Sequence, residues 1–226
     1  MPGIFYHIAC ANLIRKSVPE LDTPDFFLGN FIPDLAVDKN ISHYRYITRD
    51  GWLCPNLALA EADFDLYINS FKDLFDLSAS EEHINKPLLL GIFCHLFLDD
   101  FFIKYCLSRK FFASNTFICR KKDGRCWTYD QFLSKQGLYG AYSGSNLLLI
   151  RDGYIPSAEI FSLPDNPPLS GIPAEDQRGS IIWKKEIEKY LGDPTPYSDN
   201  FFSYDELRTT TITAAAKFKN NYFPAR

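Results

Sequence analysis

The sequence predicts a mainly α-helical fold, in which residues 1–226 form a single multi-helix domain around one buried central helix. The longest apolar run, residues 88–106, predicts that helix. Because the charged side chains within the run would be costly in the middle of a bilayer, a buried core helix is favoured over a membrane-spanning one. Apolar residues recur at helical spacing on either side of this run. A length of 226 residues, with 46% hydrophobic and 23% charged residues, is typical of one globular domain with a substantial core.

Two helices are predicted near the N-terminus. Apolar residues at helical spacing predict the first over residues 4–16, with His7 on or beside its buried stripe. The segment PDFFLGNFI, residues 24–32, predicts a short apolar helix that Pro33 interrupts. Gly29 in this segment allows the backbone of another element to approach closely.

A loop and a further helix are predicted before the central helix. Residues 35–56 have an irregular pattern and carry His43, and loops hold site residues more often than their share of a chain. Apolar residues at helical spacing predict a helix over residues 57–77. The tripeptide Asn85-Lys86-Pro87 then opens the central helix, because proline suits the first helical position.

The second half is predicted to be less regular, with residues 108–180 forming an insertion or lid. Residues 116–129 predict a small β-hairpin, because two β-prone runs flank a Lys-Asp-Gly turn. The pattern of residues 129–150 predicts a helix, although its glycines weaken this prediction. The proline-rich residues 154–180 predict a long irregular crossing, either a lid or a surface strap. Two more helices are predicted over residues 181–191 and from Ser203 or Asp205 to about residue 220.

Charge and cysteine content narrow the classes of function. The net charge of −4 argues against non-specific binding to nucleic acid or to anionic lipid. The six cysteines include no C-x-x-C pair, so a thiolate zinc ribbon is not expected. No signal-peptide pattern is visible, which predicts a cytoplasmic location. Cys119 and Cys126 flank the predicted hairpin and could face each other, and in that location we expect them to be reduced.

The central helix carries two side chains that are unusual in its apolar surroundings, His95 and Asp99. Residues four apart lie on one face of a helix, so the imidazole and the carboxylate point the same way. Burying either group without a partner is costly. A divalent cation would satisfy both groups, and so would a plain hydrogen bond between them; the spacing is compatible with either.

Three further residues could join this pair, namely His7, Asp34 and His43. Imidazole and carboxylate ligands without thiolates suit zinc, and also manganese or iron. One or two such ions activate water and clamp the oxygens of a phosphoester, so the pattern favours phosphoester hydrolysis. Each residue also has a structural interpretation: a buried core histidine for His7, a turn or helix cap for Asp34, and a surface histidine for His43.

The order of these residues resembles the zinc-dependent phospholipase C family, a helical fold related to the single-strand-specific zinc nucleases. The resemblance covers about the first 105 residues: His7, the segment FFLGNFIPD that ends in Asp34, the loop residue His43, and the segment GIFCHLFLDDFF with His95 and Asp99. It implies that His43, His95 and Asp99 hold one zinc ion, and that His7 holds a second ion bridged by Asp99. It implies that Asp34 is a further ligand or the catalytic general base. The implied substrate is a small phosphoester or phospholipid-like molecule, and nucleic acid is not favoured.

The chain departs from that family after the central helix, because no histidine follows His95. A three-ion cluster is therefore not expected, whereas one or two divalent ions are. A helical phosphohydrolase built on a His-Asp dipeptide is disfavoured, since the sequence has no such dipeptide. The alternative function is a non-catalytic helical interaction module with a degenerate or mononuclear metal site. The oligomeric state stays open at this point.

Overall fold

The computed structural model describes residues 3–35, 86–114, 117–163, 184–185, 187–188 and 201–224, and it confirms the mainly α-helical fold class. The described helices are α1 (Ile4–Arg15), α2 (Pro24–Leu35), α3 (Lys86–Phe102), α4 (Tyr129–Leu133), α5 (Leu138–Arg151), α6 (Ser157–Ser162) and α7 (Tyr204–Tyr222). The strands are β1 (Phe111–Ser114), β2 (Phe117–Arg120) and β3 (Cys126–Thr128). A 3-10 turn spans Pro19–Leu21, and a π-helical turn, Ile103–Leu107, extends α3.

Several predicted elements fall on other parts of the chain. The helix predicted over residues 57–77 and nearly all of the loop that carries His43 lie outside the described residues. The start of the proline-rich crossing folds as α6, and most of the rest lies outside the described residues. The four described residues of the helix predicted over 181–191 are helical. Within the described ranges, no helix combines the length and apolarity needed to cross a bilayer.

The central helix α3 packs along α2 at a crossing formed by two glycines. A Cβ atom built on Gly29 of α2 would lie 1.9 Å from the carbonyl oxygen of Leu88, and one on Gly91 of α3 would lie 2.2 Å from that of Phe26. Both distances are far below any van der Waals contact, so only glycine fits at either position. The close approach predicted at Gly29 is thus confirmed, and its partner is Gly91. Helices α1 and α7 pack beside this pair.

Helix α2 continues through Pro33 to Leu35, so the predicted interruption at Pro33 is wrong. The proline removes one helical hydrogen bond, and it lies near the end of α2 as described. Phe31, Ile32 and Leu35 around it are buried in the core. Tertiary packing therefore outweighs the local preference of proline. As a consequence, Asp34 lies on a helix and not in the turn after one.

The last helix begins at its predicted cap. The hydroxyl of Ser203 accepts a hydrogen bond from the Glu206 amide at 3.1 Å, and the Ser203 amide donates to the Glu206 carboxylate at 2.8 Å, which completes a capping box. The buried face of α7 includes Leu207, Thr211, Ala215 and Phe218, whereas Ile212 is exposed.

The predicted hairpin is confirmed as β2 and β3, and β1 joins it as a strand that the sequence does not predict. The three strands form an antiparallel sheet in the order β1-β2-β3. The register places Cys119 directly opposite Cys126, and the two are joined by a disulfide. The expectation that they are reduced is therefore wrong for this structure, because directly opposed residues bring their Cβ atoms within bonding range.

Candidate metal centre

Three of the predicted ligands converge in the core, namely His7 from α1 and His95 and Asp99 from α3. All three side chains are buried, with at most 4% of their surface exposed. Each offers one ligand atom, and these atoms all lie within 4.8 Å of one another. This group could hold a metal ion, since the donor types are those of zinc and related cations.

The glycine crossing of α2 and α3 sets the position of His95. One turn beyond Gly91, the Nδ1 atom of His95 lies 2.8 Å from the backbone carbonyl oxygen of Asn30, the residue after Gly29. That contact is possible because the two helix backbones lie very close together. Any residue larger than glycine at the crossing would hold them apart. The glycines therefore act on the site indirectly, through the distance between the helices.

The contact with Asn30 fixes which nitrogen of His95 carries the proton. A carbonyl oxygen only accepts hydrogen bonds, so Nδ1 must donate and Nε2 must present its lone pair when the ring is neutral. Metal-binding histidines in proteins show this same arrangement, in which the nitrogen that does not bind the metal donates to a carbonyl or carboxylate. His95 is thus oriented and protonated as a ligand would be.

The distance between His7 and Asp99 also fits a shared cation. The Nε2 atom of His7 lies 3.3 Å from Oδ1 of Asp99. A charge-assisted N–H···O hydrogen bond is shorter, about 2.7–2.9 Å. Two ligand atoms bound about 2.0–2.1 Å from a tetrahedral ion lie about 3.3–3.4 Å apart by geometry. The observed separation therefore matches neighbouring ligands of one ion better than it matches a direct hydrogen bond.

The two imidazole rings limit the charge that the site can carry. The rings of His7 and His95 are stacked, with centroids 3.6 Å apart and planes 5° from parallel. Two stacked imidazolium cations would repel each other strongly at this depth, so at least one ring is neutral. Nδ1 of His7 is buried without a hydrogen-bond partner among the described residues.

The surroundings of the site are apolar and contain residues that the sequence does not single out. Tyr142 of α5 is buried, and its hydroxyl has no hydrogen-bond partner within the described ranges. Burial raises the pKa of this hydroxyl well above its usual value, and the nearby Cys106 and Asp99 add to the shift. Burial likewise raises the pKa of the Cys94 thiol, which contacts that of Cys10. The Tyr142 hydroxyl and the Cys94 thiol therefore stay protonated at neutral pH.

Two contributors to the site were not identifiable from the sequence. Asn30 acts through its backbone carbonyl, and every residue has one, so no sequence signal marks it. Tyr142 lies on a helix that is only weakly predicted because of its glycines. Aromatic residues are also abundant in this chain, with 13 tyrosines and 20 phenylalanines, so a single tyrosine does not stand out. Both become visible only when α2 and α5 are placed against α3.

The structure places the remaining predicted residues as follows. Asp34 lies half-buried in the last turn of α2, and it is not one of the three residues that converge. It is one helical turn after Asn30, hence on the same side of α2. His43 lies outside the described residues. Asp100, next to Asp99, forms an ion pair with Lys104 at 2.9 Å.

Comparisons with known proteins add no relative, since no protein-family model, no curated protein and no solved structure matches this chain. We therefore argue its function from the geometry of the site and from its chemistry.

Proposed function

We propose that this protein is a metal-dependent hydrolase of phosphoesters, similar in chemistry to phospholipase C. His7, His95 and Asp99 would hold one or two divalent cations, with zinc as the first choice and manganese or iron as alternatives. The observation that supports this most strongly is the convergence of three buried side chains of ligand type, whose ligand atoms lie within 4.8 Å of one another. The hydrogen bond from His95 to the Asn30 carbonyl orients one of these rings.

The chemistry of the proposal follows from the donor set. A bound divalent cation lowers the pKa of coordinated water to near 7 and offsets the negative charge of a phosphoryl oxygen. The residues of this chain supply the rest: buried, apolar surroundings exclude bulk water, and the His95–Asn30 contact holds one ligand in place.

The remaining roles are part of the same proposal. Asp34, on the side of α2 that carries Asn30, would be a further ligand or the general base that takes a proton from the attacking water. His43 would complete the first ion site, and Asp99 would bridge to a second ion held with His7. The substrate would be a small phosphoester or a phospholipid-like molecule.

The first experiment measures bound metal. The full chain is purified without chelator and its zinc, manganese and iron contents are measured by mass spectrometry. We expect about one or two equivalents of metal in the parent and a large loss in His95→Ala. The matched control is His83→Ala, which removes a histidine that is not among the proposed ligands. Metal that is retained in His95→Ala would contradict the assignment.

The second experiment measures turnover of a chromogenic phosphodiester and phosphomonoester, with and without chelator. We expect activity that chelator removes, that added zinc restores, and that Asp34→Asn lowers without loss of metal if Asp34 is the base. Bound metal together with no chelator-sensitive turnover would instead favour the second candidate, a non-catalytic helical module with a structural metal ion. The inclusion of three ligands in the described cluster, with Asp34 outside it, is the observation that favours this second candidate.

A further inference from the structure

The three-stranded sheet has one face that carries two exposed phenylalanines. Phe112 and Phe117 are each 45% exposed, whereas their chain neighbours Phe111 and Ile118 are buried. Phe112 pairs with Cys119, which lies two residues after Phe117 on the same strand. The two exposed rings are therefore diagonal neighbours on one face of the sheet, which we call the outer face. Adjacent large aromatic side chains in solvent point to a partner more strongly than single ones do.

The segment that carries this sheet is rich in cations. Residues 104–125 contain seven lysines and arginines and one acidic residue, Asp123, although the whole chain has a net charge of −4. Two of these cations, Lys121 and Lys122, are exposed in the turn that joins β2 to β3. Ion pairs with Asp100, Glu206 and Asp123 offset part of the positive charge of the segment, but more cations than acids are present, so its local charge is positive.

The arginines of this segment lie on the side of the sheet opposite to the two phenylalanines. Along β2, Arg120 is three residues after Phe117 and so alternates to the other face, which we call the inner face. The guanidinium carbons of Arg120 and Arg125 lie 5.6 and 5.2 Å from the ring centre of Trp127, which packs against the core. The outer face is thus apolar, and its cations lie along its edge and not between its aromatic rings.

We propose that the outer face docks onto an anionic lipid bilayer. Phe112 and Phe117 would enter the boundary between headgroups and acyl chains, while Lys121 and Lys122, exposed in the turn at one end of the sheet, bind lipid phosphates and carboxylates. An apolar surface with lysines beside it is an arrangement that suits interfacial membrane binding. The Cys119–Cys126 disulfide joins β2 to β3 beside this face and holds the two strands in register.

A bilayer fits this surface better than single-stranded nucleic acid does. Binding of a nucleic acid strand requires cations along a groove in which bases stack on aromatic rings of the same surface. Here the stacked arginines and the exposed phenylalanines lie on opposite faces of one small sheet. Binding to a bilayer requires no groove. Protruding aromatic rings can insert into it wherever nearby cations reach the lipid headgroups.

The test measures co-sedimentation of the full chain with vesicles of phosphatidylcholine alone and with vesicles that also contain 30% phosphatidylserine. We expect binding to the anionic vesicles, weaker binding to the neutral ones, and a decline with added salt. The double variant Phe112→Ser/Phe117→Ser should weaken binding by about tenfold or more. The double variant Lys121→Glu/Lys122→Glu should do the same and abolish the preference for phosphatidylserine.

Matched controls remove the same residue types elsewhere. Tyr139 and Leu147 are 47% and 42% exposed, so Tyr139→Ser/Leu147→Ser removes a similar apolar area. Lys16→Glu/Lys185→Glu removes two exposed cations. Both controls should bind like the parent, and all variants should keep its melting temperature. Binding that is lost equally in the controls, or no binding to anionic vesicles at low salt, would overturn the proposal. Displacement from vesicles by oligo-dT at equal phosphate concentration would overturn it in favour of nucleic acid.

This inference does not depend on the metal centre. We expect chelator-treated protein and His95→Ala to bind anionic vesicles like the parent, provided that they stay folded. Loss of metal with retained vesicle binding, or the reverse, would therefore show which of the two proposals fails.

Discussion

The Nδ1 atom of His95 lies 2.8 Å from the backbone carbonyl oxygen of Asn30, and this contact joins the central helix to the helix beside it. The same two helices meet at Gly29 and Gly91, one turn away, with no room for a Cβ atom on either residue. The orientation of a proposed metal ligand is therefore coupled to this close contact between two helix backbones.

Removal of metal should lower the thermal stability of the protein. A ligand that binds only the folded state at 1,000 times its dissociation constant stabilises that state by about 4 kcal/mol. For a chain of this size, that corresponds to a fall in melting temperature on the order of 10 °C when chelator is added. Differential scanning calorimetry with EDTA, followed by added zinc, measures it. A melting temperature that changes with neither EDTA nor zinc would argue against a bound ion.

Asp99→Asn should lower metal affinity by at least about 100-fold while the protein stays folded. The amide has the shape of the carboxylate but lacks the charge that a cation needs. Isothermal titration of the metal-free protein with zinc measures the affinity. The matched control is Asp100→Asn at the next position, which removes a carboxylate that pairs with Lys104 and is not among the proposed ligands. It should leave zinc affinity unchanged. Equal effects of the two variants would contradict a ligand role for Asp99.

Gly91→Ala should destabilise the protein by about 2 kcal/mol or more, although alanine is normally preferred to glycine in a helix. The new Cβ atom would lie 2.2 Å from the Phe26 carbonyl oxygen, which is backbone and cannot rotate away. The displaced helices would also lengthen the His95–Asn30 contact, so zinc affinity should fall as well. Urea unfolding and zinc titration measure the two effects.

The control for this variant is Gly124→Ala in the β2–β3 turn. Gly124 has open space around it but a φ of 69°. Its substitution should cost about 1 kcal/mol from backbone strain alone and leave zinc binding intact. If Gly91→Ala proves milder than Gly124→Ala, the helix crossing does not have the role described.

The buried thiols should resist alkylation in the native protein. Burial raises the pKa of Cys106 to about 12, and the thiolate is the reactive form, so this residue stays unreactive at pH 8.5. Above the ordinary thiol pKa the unfolded chain releases a proton that the folded chain retains, so Cys106 makes stability fall as pH rises from about 9 towards 12. Iodoacetamide labelling, with each cysteine peptide quantified by mass spectrometry, tests this.

The same labelling reports on the disulfide. Cys119 and Cys126 should react only after reduction, since they are joined to each other. Disulfides persist in oxidising compartments, whereas the sequence predicts a cytoplasmic location, so that location stays a prediction. Labelling of both thiols without reductant in freshly prepared protein would show that the pair is reduced where the protein resides.

The sequence predicted most elements because their signals are local. The helix over residues 4–16, the central helix, the hairpin and the capped last helix each rest on spacing or on turn chemistry within a few residues. The misses have long-range causes. Pro33 stays helical because the residues around it are buried. Strand β1 pairs with β2, but its own sequence does not predict this pairing.

The sequence by itself determined that an imidazole and a carboxylate face the same way from a buried helix, since residues four apart share a face of any α-helix. It also placed His7 on a buried stripe. Only the tertiary structure decided that the rings of His7 and His95 stack, that Nδ1 of His95 donates to Asn30, and that Phe112 and Phe117 are exposed on one face of the sheet. The physical reason is that helix geometry fixes neighbours along one element, whereas distances between elements depend on packing, here on two glycines that let their helices touch.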